Sequence, residues 1–167
     1  GLALEKLAVE PARDASVVFL GEDVAAAGGV FKTTSGLLDT FGPTRVLDTP
    51  ISEQAILGMA MGAAMTGLRP IAEIMFSDFL AVCWDLVANE IAKTRYMTNG
   101  QIALPLVIRT ANGAGSRFGA QHSQAVENWA LTIPGLKIAA PSNPADVVGL
   151  MAAAVRSDDP VVFFEHK

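Results

Sequence analysis

The feature that most limits how this chain can fold is an alternation. Short apolar runs bounded by turn residues occur at Ser16–Leu20, Arg45–Leu47, Pro70–Met75, Pro105–Thr110, Lys137–Ala140 and Pro160–Glu165. Each is of strand length and rich in Val, Ile or Phe. Between them lie segments with helical spacing at Leu2–Val9, Thr34–Phe41, Ser52–Gly67, Phe79–Met97, Gln124–Thr132 and Pro144–Ser157. Strands without strict polar alternation must be covered on both faces, which implies a mostly parallel sheet with right-handed crossovers between two helical layers. The expected fold is therefore α/β, a three-layer α/β/α arrangement around a six-stranded sheet. At 167 residues the chain is one domain, 1–167.

Composition narrows the partners. Hydrophobic residues make up 51% of the chain and charged ones only 17%, below the quarter or so usual for soluble domains, so some helices are expected to face a partner. A net charge of −5, with no run among the 12 Lys and Arg, excludes a nucleic-acid surface and disfavours an anionic membrane. The single cysteine, Cys83, excludes an internal disulfide and any multi-Cys metal centre, and reads as a small buried helix residue. No segment has the length of a membrane span and the start lacks a signal-peptide layout, so a cytoplasmic location is expected. The chain opens without Met and stops directly after a strand-like run, as a piece of a longer protein would.

In open parallel sheets, ligands sit beyond the carboxyl ends of the strands. Those ends are Gly21-Glu22-Asp23, Asp48 to Glu53, Phe76 to Phe79, and the loop Ala111 to His122. Ser52 reads as an N-cap with Glu53 in the first turn behind it, where an acid ordinarily does no more than meet the helix dipole. The helix it opens is unusual, because Gly58, Gly62 and Gly67 among several alanines sacrifice propensity for close approach by a neighbour. His122 follows a long glycine-containing loop; an imidazole there can exchange protons with a carbonyl intermediate or hold an anionic substrate. Phe76 and Phe79 flank Ser77-Asp78 where a strand meets a helix, the place for core packing or for a ring set against a flat heterocycle. Arg95, Tyr96 and His166 read as structural. No phosphate-binding loop, nucleophile elbow, paired helical histidines or cysteine cluster is present.

Several strings occur in one register: Gly21-Glu22-Asp23-Val24, Gly28-Gly29-Val30-Phe31, Leu47-Asp48-Thr49-Pro50-Ile51-Ser52-Glu53, Gly67-Leu68-Arg69-Pro70-Ile71-Ala72-Glu73, Gln121-His122-Ser123-Gln124 and Pro134-Gly135-Leu136-Lys137. Over nearly its whole length the chain thereby resembles the beta subunit of thiamine-dependent 2-oxoacid dehydrogenases. Glu73 to Asp78, Arg95-Tyr96-Met97 and the closing Phe164-Glu165-His166-Lys167 are similar to the acetoin and pyruvate members in particular.

The resemblance implies a transketolase-type pyrimidine-binding domain. Glu53 matches the carboxylate that bonds the aminopyrimidine of thiamine diphosphate and favours its imino form, which readies the cofactor to attack a 2-oxo carbonyl. Phe79 matches the aromatic position against that ring. His122 matches the active-site histidine that handles the intermediate and its transfer to a lipoyl carrier. A structural potassium held by backbone carbonyls at Leu106, Ala154, Ser157 and Asp159 is also implied. In the family, magnesium and the diphosphate are bound by an alpha subunit within a heterotetramer, and a lipoyl acyltransferase component takes the product. Members normally continue into a C-terminal domain that does not follow here, and Pro11 stands where they keep a longer acidic helix. The chain is accordingly expected to be inactive alone. The rival reading is a non-catalytic, self-associating module of the same fold; a nucleotide-binding α/β domain fails for want of a phosphate loop.

Overall fold

The computed structural model describes residues 14–167; the helix expected at Leu2–Val9 and its neighbour Pro11 lie outside them. Six strands form one sheet: β1 Val17–Gly21, β2 Val46–Asp48, β3 Arg69–Phe76, β4 Val107–Asn112, β5 Lys137–Ala139 and β6 Val161–His166. Their order is β2-β1-β3-β4-β6-β5 and every pairing is parallel. All six expected strands are present, each with its ends within about two residues of the sequence reading.

Side chains alternate between the two faces, as the pleat requires. One face carries Val18, Leu20, Ala72, Ile74, Ile108, Val162 and Phe164, packed with Ile56, Leu57 and Ala60. The other carries Val17, Phe19, Ile71, Val107, Val161 and Phe163, packed with Leu37, Met151 and Val155. Helices α1 (Leu37–Phe41), α2 (Glu53–Met65), α3 (Thr94–Met97), α4 (Glu127–Leu131) and α5 (Pro144–Arg156) complete the layers. Helix α5 opens on Asn143, whose side chain accepts the Asp146 amide, with proline in the first turn.

Three helical expectations change in detail. The single helix expected over Phe79–Met97 is instead a 3₁₀ segment at Ser77–Cys83, a π-helical turn at Leu86–Ile91 and then α3. No Pro or Gly breaks it. Its start is pinned by tertiary bonds from Ser77 and Asp78 to other elements, and hydrophobic period is blind to such constraints. Helix α4 begins three residues later than expected, because the amides of Gln124 and Val126 are spent on Asp78 and Asn112. Helix α1 also starts late, after Gly36 at φ 82°.

The sheet order sets the site. The chain leaves β1 toward β2 on one side and leaves β3 toward β4 on the other, so the β1/β3 boundary is a topological switch point, where a crevice opens at the carboxyl ends. Gly21 ends β1 there. A Cβ at this position would lie 2.9 Å from the Glu73 carbonyl oxygen and 3.0 Å from Val24 Cγ1, so only glycine lets the two strand ends approach this closely.

Candidate functional site

The mouth of helix α2 is built from β2 outward. The Asp48 carboxylate accepts the backbone amides of Ala25 (2.7 Å) and Ala26 (3.2 Å), and the Thr49 amide donates to Gly21 O at 3.0 Å. These bonds fasten the turn before α2 to the end of β1. Ser52 holds the N-cap position with extended backbone angles, and its carbonyl receives the Ile56 amide at 2.9 Å, but its side chain makes no capping bond. Glu53 therefore stands partly exposed at the helix mouth. Among the described residues no donor is hydrogen-bonded to its carboxylate.

Its charge is nonetheless felt nearby. Burial, then Asp23 and then Glu53 push the Glu22 carboxyl above the ordinary range. Burial foremost, with Glu53 next, pushes the Cys83 thiol up to about 12. Cys83 is 1% exposed and its thiol points at the Phe79 and Leu80 carbonyls, so the structure sets Glu53 beside the same 3₁₀ segment that carries Phe79.

Phe79 and His122 come together there. The His122 ring meets Phe76 edge-on at 4.8 Å between centroids and Phe79 edge-on at 5.0 Å. Phe118 and Phe31 extend the cluster, each edge-on to Phe76 at 5.7 and 5.9 Å. The His122 Nδ1 is buried and has no hydrogen-bond partner among the described residues, and neither has Thr49 Oγ1. His122 Nδ1 is thus an unpartnered buried polar atom within an aromatic wall, and the helix that opens on Glu53 packs against the 3₁₀ segment carrying Phe79.

Beneath the cluster runs a buried polar layer. Ser77 Oγ donates to Asn112 Oδ1 at 2.7 Å, that oxygen also takes the Val126 amide at 3.1 Å, and Asn112 Nδ2 donates to Glu127 at 2.8 Å. Asp78 accepts from Gln124 and Lys167. On the opposite face of the sheet, Arg109 joins Glu73 and Glu165 across β3, β4 and β6 and reaches Thr33 at 3.3 Å, anchoring the loop that carries Phe31.

The carbonyls expected to hold potassium sit around the α5–β6 turn and the start of β4. Each already accepts a protein donor: Leu106 O from the Val161 amide, Ala154 O from the Ser157 amide, Ser157 O from Arg69 and Asp159 O from Ser157 Oγ. Arg69, Lys137 and Arg95 bring three positive charges to the same turn through Asp158 and Asp159. Each of these carbonyl oxygens keeps a second lone pair, which a potassium ion could take. Arg95, read in the sequence as structural, lies in the last turn of α3 and pairs with Asp159.

Sequence reasoning missed Phe31, Phe118, Asn112 and Lys167 as parts of the site. Phe31 and Phe118 lie in loops whose course only the tertiary fold fixes. Asn112 and Lys167 carried a signal: Asn112 is the last residue of β4 and Lys167 directly follows β6, and strand ends are where ligands of such sheets sit.

The small-residue face of α2 is largely open. Among the described residues, a Cβ added at Gly58 would meet only Leu86 Cδ1, at 3.9 Å, and one at Gly62 nothing within 4 Å. Met59 and Met65 on that helix are exposed, as is Ile51 just before it. No helix among the described residues is long and apolar enough to cross a membrane.

Comparison with known proteins agrees with this geometry. The family described as "Transketolase, pyrimidine binding domain" matches residues 2–167. The chain is 52% identical to the acetoin:2,6-dichlorophenolindophenol oxidoreductase subunit beta of Bacillus subtilis (strain 168), covering 93% of this chain and 49% of that protein. It is 51% identical to the 2-oxoisovalerate dehydrogenase subunit beta of the same organism, with 95% and 48% covered. It is 49% identical to the pyruvate dehydrogenase E1 component subunit beta of Rickettsia conorii, again with 95% and 48% covered. The chain thus spans about half the length of these relatives. A solved structure described as a split gene transketolase, inactive beta4 tetramer, superposes with a TM-score of 0.74 over 96% of this chain and 48% of that one at 22% identity, which shows the shared fold. The chain therefore belongs to the transketolase pyrimidine-binding-domain family, and its relatives at about half identity are the beta subunits of acetoin-, pyruvate- and oxoisovalerate-converting enzymes.

Proposed function

We propose that this chain is the pyrimidine-binding part of a thiamine-diphosphate-dependent 2-oxoacid dehydrogenase or acetoin-cleaving enzyme, and that it works with an alpha subunit. The observation that carries the reading is the Glu53 carboxylate, without a donor, at the β1/β3 crevice beside the Phe76–Phe79–His122 cluster. When bound, the cofactor supplies a carbon nucleophile for a 2-oxo or acetoin carbonyl. Glu53 bonds the aminopyrimidine and shares a proton with it, and Phe79 lies against the ring. His122, its Nδ1 free of partners among the described residues, would hold or move a proton at the reacting carbonyl.

The described residues offer no phosphate loop and no cluster of metal-ligating side chains. Diphosphate and magnesium accordingly fall to the alpha subunit, which docks on the open Gly58–Gly62 face of α2 with its exposed methionines. A lipoyl acyltransferase component then receives the acyl group. The relatives, each named as an enzyme subunit, favour this reading over a self-associating module.

The test is Glu53→Ala in the intact subunit co-expressed with its alpha partner. The variant should assemble and keep its fold while losing activity by about a hundredfold or more. Turnover near the parent level would end the proposal.

A further inference from the structure

Directly after strand β6 stands a lysine whose ammonium is hidden. The Lys167 side chain is 0% exposed and pairs with Asp78 Oδ2 at 3.3 Å, on a side chain itself 2% exposed. Its Nζ donates to the main-chain carbonyl of His122 at 2.5 Å and lies 4.8 Å from the centroid of the Phe76 ring. The other Asp78 oxygen accepts twice from Gln124, from the backbone amide and from Nε2, both at 3.0 Å. The pair thus grips the chain on both sides of Ser123, at the carbonyl of residue 122 and the amide of residue 124.

A buried ion pair is an expensive way to close a strand, since an apolar residue of similar size usually serves stability as well. What it supplies is direction, through donors and acceptors that fix a backbone in one place. The His122 imidazole has no hydrogen bond from a described residue to hold it; its setting comes from the edges of Phe76 and Phe79 and from the backbone beneath it. The Lys167 ammonium touches two of those three supports, the Phe76 face and the His122 carbonyl.

We infer that Lys167 and Asp78 are positioning residues for His122, a buried clamp that sets the imidazole against the reacting centre. The inference rests on the reading of His122 given above. Neither residue touches substrate; both act through the 120–124 segment and the Phe76 ring.

The experiment uses the intact subunit assembled with its alpha partner, carrying Lys167→Met, Asp78→Asn or both, in parent and His122→Ala backgrounds. Lys167→Met strands the Asp78 charge and should lower thermal stability; kcat should fall about tenfold or more with cofactor affinity unchanged. The double variant removes both charges, so its stability should recover while kcat stays low, because the tether to His122 is still missing. On His122→Ala, Lys167→Met should cost nothing further, as expected of residues that act as one unit. Exchange of the imidazole C2 hydrogen, followed by mass spectrometry, should quicken at His122 in both Lys167 variants and not at His166.

Activity that returns together with stability in the double variant would overturn the clamp, as would a full additive loss on His122→Ala. An unchanged exchange rate at His122 overturns it whatever the activities show. Failure of the underlying reading looks different: an active Glu53→Ala removes the cofactor site, and a fully active His122→Ala beside a dead Glu53→Ala removes the histidine's role and the clamp with it.

Discussion

Replacing Arg109 with methionine tests whether the buried charge layer on the far face of the sheet is held by one cation. Arg109 is 6% exposed, and so is Glu73. The guanidinium bonds Glu73 through Nη1, both Glu165 oxygens at 2.7 Å, and Thr33 at 3.3 Å. Burial works against its charge, but the two carboxylates more than offset this and hold it protonated at all accessible pH. Methionine fills similar volume and removes the charge, leaving Glu73 with no counter-ion. Breaking a buried pair this way costs about 3–5 kcal/mol, which at a urea dependence of about 2 kcal/mol per molar lowers the midpoint by about 2 M.

Sign and pH window follow from Glu73. Burial raises its pKa, with Glu165 adding to the rise and Arg109 opposing it. A carboxyl raised on folding contributes fully below its unfolded value of 4.5, and that contribution is lost as pH climbs through the higher folded value. Without Arg109 the folded value climbs further, so the deficit of Arg109→Met should be largest at pH 8 and shrink toward pH 5. Glu73→Gln, which leaves the Arg109–Glu165 pair intact, should cost only about 1 kcal/mol. Urea titrations followed by fluorescence of Trp84 and Trp129, whose rings meet at 5.9 Å, supply the measurement. A deficit under about 1 kcal/mol, or one independent of pH, would refute the reasoning.

The thiol of Cys83, 1% exposed and shifted up to about 12 by burial and Glu53, should resist iodoacetamide at pH 8 in the native protein and react at once in urea; fast native labelling would contradict that packing. For Asp78, burial alone would raise the carboxyl, but the Gln124 bonds and Lys167 outweigh it and hold it below 3.8. Its stabilisation is present above that value and lost as pH falls through the lower folded one, so Asp78→Asn should flatten the acid limb of the stability curve below about pH 4 in urea titrations. Gly21→Ala should destabilise the domain by about 1–3 kcal/mol, read from the same titrations, since its new methyl meets a backbone oxygen at 2.9 Å.

How much of this could be read from sequence depended on whether a constraint was local. The strands were legible because Val17–Gly21 and Val161–Phe164 are buried on both faces, and a run with no polar face has few other homes. Glu53 and His122 were singled out by strand-end position and by the register of several strings together. The Phe79–Met97 segment was read as one helix, whereas a 3₁₀ stretch leads into it from Ser77 and Asp78, whose side chains are held by Asn112, Gln124 and Lys167, residues 35 to 89 positions away. A periodicity window cannot contain such a separation.

The same non-local bonds show why the site is divided as it is. Glu53 reaches the crevice from β2 and α2, His122 from the loop after β4, and Lys167 from the end of β6. These elements are brought to one edge by the parallel order of the sheet, with β4 and β6 paired directly, so a fault in sheet assembly would disperse carboxylate, imidazole and ammonium together. Glu53 is also the opening residue of the helix whose Gly58 and Gly62 face lies open. A subunit seated on that face would press on the element that carries the carboxylate, and docking would thereby set the carboxylate against the ring. Removing the small-residue face should then weaken cofactor activation as well as assembly: Gly62→Leu, where an added Cβ meets no described atom within 4 Å, should leave the chain's stability in urea undiminished, with a gain of up to about 1 kcal/mol from helix propensity, while lowering both alpha-subunit affinity and activity at saturating partner. Activity fully restored by excess alpha subunit would separate docking from activation and refute the link.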